Sequence, residues 1–125
     1  MIKRIVIAGS REYKNCREAK EIIEHHLSNI CKENEIVILS GGCRGADLIG
    51  ERYAEEKGNR IERHLADWEK YGRGAGPKRN EEMAKLCDCV ICFWDGRSKG
   101  TKSMLDYAKK YNKLIRVKLI GEQII

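Results

Sequence analysis

The sequence predicts a three-layer α/β domain in which a doubly wound sheet of about five, mainly parallel strands is flanked by helices. Three observations carry this reading. Short β-branched apolar runs alternate with segments of helical periodicity along all 125 residues. The first of these runs are apolar at consecutive positions, the pattern of strands covered on both faces. Glycine clusters stand where strand gives way to helix.

Residues 2–8 open the chain with Ile2, Ile5, Val6, Ile7 and Ala8 and stop at Gly9-Ser10, a buried strand. Asn15 caps a helix whose third position is Glu18, and Ile22, Ile23, His26, Leu27 and Ile30 then share one face, giving a helix from about 16 to about 32. Ile36 to Leu39 form the core of a second strand over 35–40, broken at Gly41-Gly42. Ala46, Ile49, Tyr53 and Ala54 then give a helix that Gly58 ends. A third, alternating strand is expected over 60–65, followed by a glycine-rich stretch, 66–76, with two aromatics. Pro77 suits the first turn of the next helix, because its missing N–H has no partner there; Met83, Ala84 and Leu86 give that helix its apolar side. Strand four covers 89–94, a helix 101–110 turns Met104, Leu105 and Ala108 inward, and strand five covers 114–118, with 119–125 left unassigned.

The length suits one domain spanning residues 1–125. At 42% hydrophobic and 35% charged, the composition is that of a globular protein rather than a disordered chain. A net charge of +6 and a pI near 9.0 favour anionic partners. The lysines and arginines are spread along the chain rather than gathered with aromatics, which speaks against a dedicated nucleic-acid patch. No signal-peptide pattern and no apolar stretch of roughly 20 residues is present, so a cytoplasmic protein without a membrane span is expected. The six cysteines, at 16, 31, 43, 87, 89 and 92, are then expected as free thiols. Cys87, Cys89 and Cys92 imitate a metal knuckle only superficially, because neighbouring strand positions face opposite ways and no second ligand pair follows; no metal and no cofactor are expected.

A doubly wound sheet binds ligands outside the carboxyl ends of its strands, where strand order reverses. Three strand ends carry chemistry suited to that edge. The first is Gly9-Ser10-Arg11. The second runs from Gly41-Gly42 through Arg44-Gly45 to Asp47, between strand and helix, where glycines permit close backbone approach and the helix start attracts an anion; it is neither a Walker loop nor a clean dinucleotide fingerprint. The third, Asp95-Gly96 through Ser98 to Gly100-Thr101, adds hydroxyls and cations to its glycines. Arg79 and Asn80, one turn into the following helix, place a guanidinium and an amide at the same edge. Trp68, Tyr71 and Trp94 are expected in or beside the mouth, able to stack on a base or to close over it. His25, His26 and His64 have no nucleophile partner and read as structural.

In combination, the segments 7–11, 41–47, 66–68, 75–80 with Met83, and 94–101 resemble the YspA-like, YpsA-related branch of the SLOG superfamily over almost the whole chain. The resemblance implies a Rossmann-like fold and a nucleotide or nucleotide-derived ligand; relatives include the LOG phosphoribohydrolases and DprA. Arg79-Asn80-Glu81-Glu82-Met83 is similar to the LOG Arg-Lys-x-x-Met segment, so Arg79 inherits candidacy as a catalytic arginine, with Asn80 in place of the lysine. Ser103 stands where the LOG pattern implies a catalytic glutamate, leaving Asp47 or Asp95 as the carboxylate to activate water or hold ribose hydroxyls. Three readings follow: a nucleotide-binding protein that hydrolyses an N-glycosidic bond, a non-catalytic sensor of nucleotide signals, and a DprA-like binder of single-stranded nucleic acid. Dimers are common among such relatives, and Ile120, Ile124 and Ile125 are the apolar residues offered for a homodimer interface.

Overall fold

The computed structural model describes residues 1–28, 30 and 32–121. Five strands, β1 (Ile2–Gly9), β2 (Glu35–Ser40), β3 (Arg60–Arg63), β4 (Cys89–Trp94) and β5 (Leu114–Leu119), form one sheet in the order β3-β2-β1-β4-β5. Every pair is parallel, with Ile5 opposite both Ile38 and Cys89. The first half of the chain winds outward from β1 to β3. The crossover that follows returns past β1 to β4, so the winding reverses between β1 and β4, and their carboxyl ends flank the crevice where such sheets take ligands.

Alternation along the strands divides the core in two. Ile5, Ile7, Ile38, Ile91 and Phe93 point toward α1 (Cys16–Leu27) and α2 (Ala46–Lys57). Val6, Ala8, Leu39, Val90 and Cys92 point toward α4 (Ala75–Leu86) and α5 (Lys99–Lys110). Cys89 and Cys92 therefore serve opposite faces, and burial pushes the Cys92 thiol up to about 12. β5 is an outer strand, and its Leu114, Val117 and Leu119 remain exposed.

Asn15 caps α1 by accepting the Glu18 N–H, and the helix buries Ala19, Ile23 and Leu27. It ends at Leu27, short of the expected 32; residues 29 and 31, with the Cys31 thiol, lie outside the described residues. The other described cysteines carry free thiols. Gly58, left-handed at φ 73, donates to the Ala54 and Glu55 carbonyls and closes α2. The glycine-rich stretch is not structureless. Asp67 caps the single helical turn α3 (Trp68–Tyr71), a 3₁₀ turn follows over Gly72–Gly74, and α4 begins at Ala75, two residues before Pro77. Proline tolerates that displacement because the third N–H of a helix also lacks an intrahelical acceptor. Ile120 packs against the α1/α2 core, while Ile124 and Ile125 lie outside the described residues. Among those residues no helix is long and apolar enough to cross a membrane.

Candidate functional site

A cleft of about 310 Å³ opens at the β1/β4 reversal, and four segments build it. The end of β1 gives Gly9 and Arg11, the start of α2 gives Cys43 and Asp47, α4 gives Arg79 and Asn80, and the start of α5 gives Ser98, Gly100 and Thr101. Met83 and Met104, which the periodicity assigns only to the core, form its apolar wall.

The start of α5 offers the cleft backbone donors. Asp95 accepts the N–H groups of Arg97 and Ser98 at 2.8 Å each, which shapes the turn and holds its carboxyl below the ordinary value. Asp95 is thereby a turn-former outside the cleft lining, as is Gly96 at φ 81. The Ser98 side chain makes no capping hydrogen bond, so the first-turn amides of α5 carry no side-chain acceptor. An uncapped helix start opening into a cleft that arginines also line has the physics of a phosphate site.

The α2 end works differently. The loop from Gly41 to Asp47 turns its amides inward: Gly42 donates to Ser40 Oγ at 3.0 Å, Cys43 to Asp47 Oδ2 at 3.2 Å, and Ala46 to the Ser10 carbonyl at 3.1 Å. Gly45, at φ 81, lies against the backbone of Ser10 and Arg11, where any Cβ collides with carbonyl oxygens. Gly45 thereby permits loop-to-loop packing, and Gly41, Gly42, Gly45 and the buried Ser10 all lie outside the cleft lining. Ser40 in turn donates to the buried Glu51 at 2.7 Å, and Arg63 grips the other Glu51 oxygen. Burial works to raise the Glu51 carboxyl, but its bonds to Arg63 and Ser40 outweigh that and leave it lowered.

This loop delivers one buried carboxylate. Asp47 is 7% exposed, and burial drives its pKa from 3.8 to about 6 against the opposing pull of the Cys43 N–H, Arg79 and Arg11. It is the only acid among the described residues that line the cleft. Arg79 is held rigidly beside it: Nη1 donates to the Gly41 carbonyl at 2.8 Å and the His64 carbonyl at 3.4 Å, and Nε to Asn80 Oδ1 at 3.0 Å. Asn80 uses its amide nitrogen on the Gly100 carbonyl and on Ser103 Oγ, both at 3.3 Å, and so ties α4 to α5 while orienting Arg79. Ser103 is engaged in that tie. The next acid after Thr101 is Asp106, exposed and paired with Lys102.

Trp94 donates Nε1 to the Ser98 carbonyl and steadies the α5 turn, while Trp68 and Tyr71 stand exposed outside the cleft lining. Arg44 reaches away to Glu12 at 2.7 Å and also misses the cleft.

Gly41 gives a direct test of this geometry. A Cβ there meets Arg79 Nη1 at 2.5 Å and Asp47 Oδ2 at 2.8 Å, so the two side chains must move and give up hydrogen bonds that hold them. Gly41→Ala is expected to displace the two charged groups while the fold survives, with a loss of about 1–2 kcal/mol in denaturant unfolding. A loss above about 4 kcal/mol would instead locate the conflict in the backbone.

Comparison with known proteins agrees with this architecture. The chain superposes on the X-ray structure of DNA processing protein A (DprA) from Streptococcus pneumoniae with a TM-score of 0.70 at 22% identity, covering 94% of this chain but 50% of that one. It superposes on the X-ray structure of TM1055 with a TM-score of 0.64 at 19% identity, covering 92% and 72% of the two chains. At such identities the likeness speaks for the shared fold, and the chain spans only half of the DprA chain. In sequence, it is 35% identical over 115 residues to the Gene 61 protein of Mycobacterium phage D29, covering 87% of this chain and 90% of that protein. The family model described as YspA, cpYpsA-related SLOG matches residues 3–71, more than half of the chain, from β1 through α3. With the reversed parallel sheet already established, these matches place the chain in the YspA, cpYpsA-related SLOG family.

Proposed function

We propose that the cleft binds a nucleotide or nucleotide-derived phosphate ligand, with phosphate at the start of α5 and near Arg11, and with sugar hydroxyls toward Asp47 and Arg79. The observation that carries this reading is the uncapped first turn of α5 opening into a cleft that Arg11 and Arg79 also line, at the β1/β4 reversal. Arg79 presents a guanidinium whose Nε and Nη1 are already fixed, so its ordering entropy is spent before ligand arrives. The buried Asp47 suits a hydroxyl pair, which it accepts while ionised.

Binding without turnover is favoured over hydrolysis by the count of acids in the cleft. Glycoside hydrolysis ordinarily uses two carboxylates, and Asp47 stands alone among the described residues that line the cleft. A hydrolytic role would require Asp47 to act unaided on water or on the developing oxocarbenium charge.

A thermal-shift screen against nucleoside mono- and diphosphates, cyclic nucleotides, NAD and ADP-ribose tests the reading. Ligand at 100 times its dissociation constant stabilises the fold by about 2.7 kcal/mol, a rise of several degrees in Tm. Chromatography is expected to return the bound nucleotide unchanged after long incubation; a cleaved base would establish hydrolysis, and a screen with no shift would refute the reading.

A further inference from the structure

The cleft has a neighbour that the proposed function does not use. A groove of about 580 Å³ lies on the α1/α2 side of the same sheet edge, bounded by the segment after β1 and the start of α2. Four cations, Arg11, Lys14, Arg44 and Arg52, line it against one acid, Glu12. Its floor is apolar, from Tyr13, Leu48 and Ile49, with Leu48 47% exposed. Glu12 is already held by Arg44 in an exposed pair that solvent and salt screen. Arg11 and Lys14 make no ion pair among the described residues, and Arg52 has only a 3.9 Å contact with Cys16 Sγ. Like charges gathered around one concavity repel each other when it is empty, and an anion relieves that repulsion.

Arg11 belongs to both concavities, and the turn Cys43-Arg44 separates them, with Cys43 facing the cleft and Arg44 the groove. Arg11 is thus the lining residue that the two concavities share.

We infer that the groove is a second subsite for the same ligand, which is therefore a dinucleotide: one phosphate sits at the start of α5, and a second, one nucleoside away, lies among Lys14, Arg44 and Arg52. The shared Arg11 lies between the two phosphates, and the second base rests on the apolar floor that Leu48 exposes. Phosphate needs the cations and a base needs the floor, and the groove offers both in one place. The inference rests on the cleft reading above.

The experiment is calorimetric titration at 150 mM salt with the four nucleoside 5′-monophosphates and the matching 5′-phosphorylated homodinucleotides. Wild-type protein is compared with the Lys14→Gln/Arg52→Gln double variant, in which both changed side chains are exposed and outside the cleft lining. Wild-type protein is expected to bind the best dinucleotide at least about tenfold more tightly than its monophosphate, the scale of one charge-assisted hydrogen bond. The double variant should lose that advantage and keep its monophosphate affinity. Equal wild-type affinity for the two ligands overturns the second subsite and leaves the cleft reading standing. Parallel loss of both ligands in the variant overturns it too, since the two cations would then act only through overall charge. Affinity that keeps climbing from dinucleotide to a 20-mer overturns it in favour of an unbounded strand. Failure of every monophosphate and dinucleotide to bind defeats the cleft reading itself, and the subsite with it.

Discussion

Asp47→Asn is expected to stabilise the protein at pH 7.5 by about 1–3 kcal/mol, and the gain should vanish as pH falls toward 4. The sign follows from the two states of one carboxyl. Folded, Asp47 has its pKa raised by burial to about 6; unfolded, it returns to 3.8. Between these values the folded chain binds more protons, so stability falls as pH rises through this window and then levels. A gap of that size between the folded and unfolded carboxyl corresponds to about 3 kcal/mol at most. Asparagine occupies the same volume and keeps an oxygen for the Cys43 N–H. Other carboxyls act oppositely: Glu12, Glu24 and Glu81, held low by Arg44, Lys57 and Tyr111 respectively, favour the folded state fully above the ordinary carboxylate value and lose that contribution as pH falls through their lowered values. The measurement is therefore the difference in Tm between wild type and variant across pH 4–8, in which those contributions cancel. A difference of about 5 °C at pH 7.5 and near zero at pH 4 is expected; a flat difference would mean that Asp47 titrates normally. A group that costs stability in its ionised state and lies in a cleft has the profile of a functional residue.

That residue shows where sequence reasoning reached and where it stopped. The strands were legible because a sheet covered on both faces demands unbroken apolar runs, and Ile5-Val6-Ile7-Ala8 and Ile36-Val37-Ile38-Leu39 allow little else. The candidate cleft was legible in outline, since glycine, arginine and hydroxyl residues at strand ends meet wherever a parallel sheet reverses. The division of labour between the two glycine loops was not. Both read as phosphate cradles, yet the amides of the loop before α2 close on Ser40, Asp47 and Ser10. Only the tertiary approach of Ser10 to Gly45 decides this, across 35 positions whose spacing carries no signal. The Arg63–Glu51–Ser40 chain behind the loop is hidden for the same reason. So is the role of Asn80: its position next to Arg79 suggests ligand contact, whereas its partners on α5 consume its amide. The glycine-rich stretch before α4 concealed a helical turn because Asp67 as a cap is a two-residue signal amid glycines.

Arg79→Gln is expected to weaken binding of the nucleotide giving the largest thermal shift by about 10- to 100-fold, the range for losing a charge-assisted hydrogen bond. It should also lower stability by about 1–2 kcal/mol, because Gly41 and His64 lose the donor to their carbonyls. Arg79→Lys separates charge from shape: it retains the cation but not the fork that reaches two carbonyls and Asn80 together, and an intermediate affinity is expected. A further readout needs no ligand. Arg79 is among the groups that hold the Asp47 pKa down, so its removal must move the Asp47 window upward in pH. The comparison is between the Arg79→Gln single variant and the Arg79→Gln/Asp47→Asn double variant, with the stability difference followed across pH 4–8. A midpoint shifted above that of the pair carrying Arg79 establishes that the two charges act on each other across Gly41. An unshifted midpoint, with nucleotide affinity intact in Arg79→Gln, would reduce Arg79 to a strut between β2 and α4 and leave anion binding to the start of α5 alone.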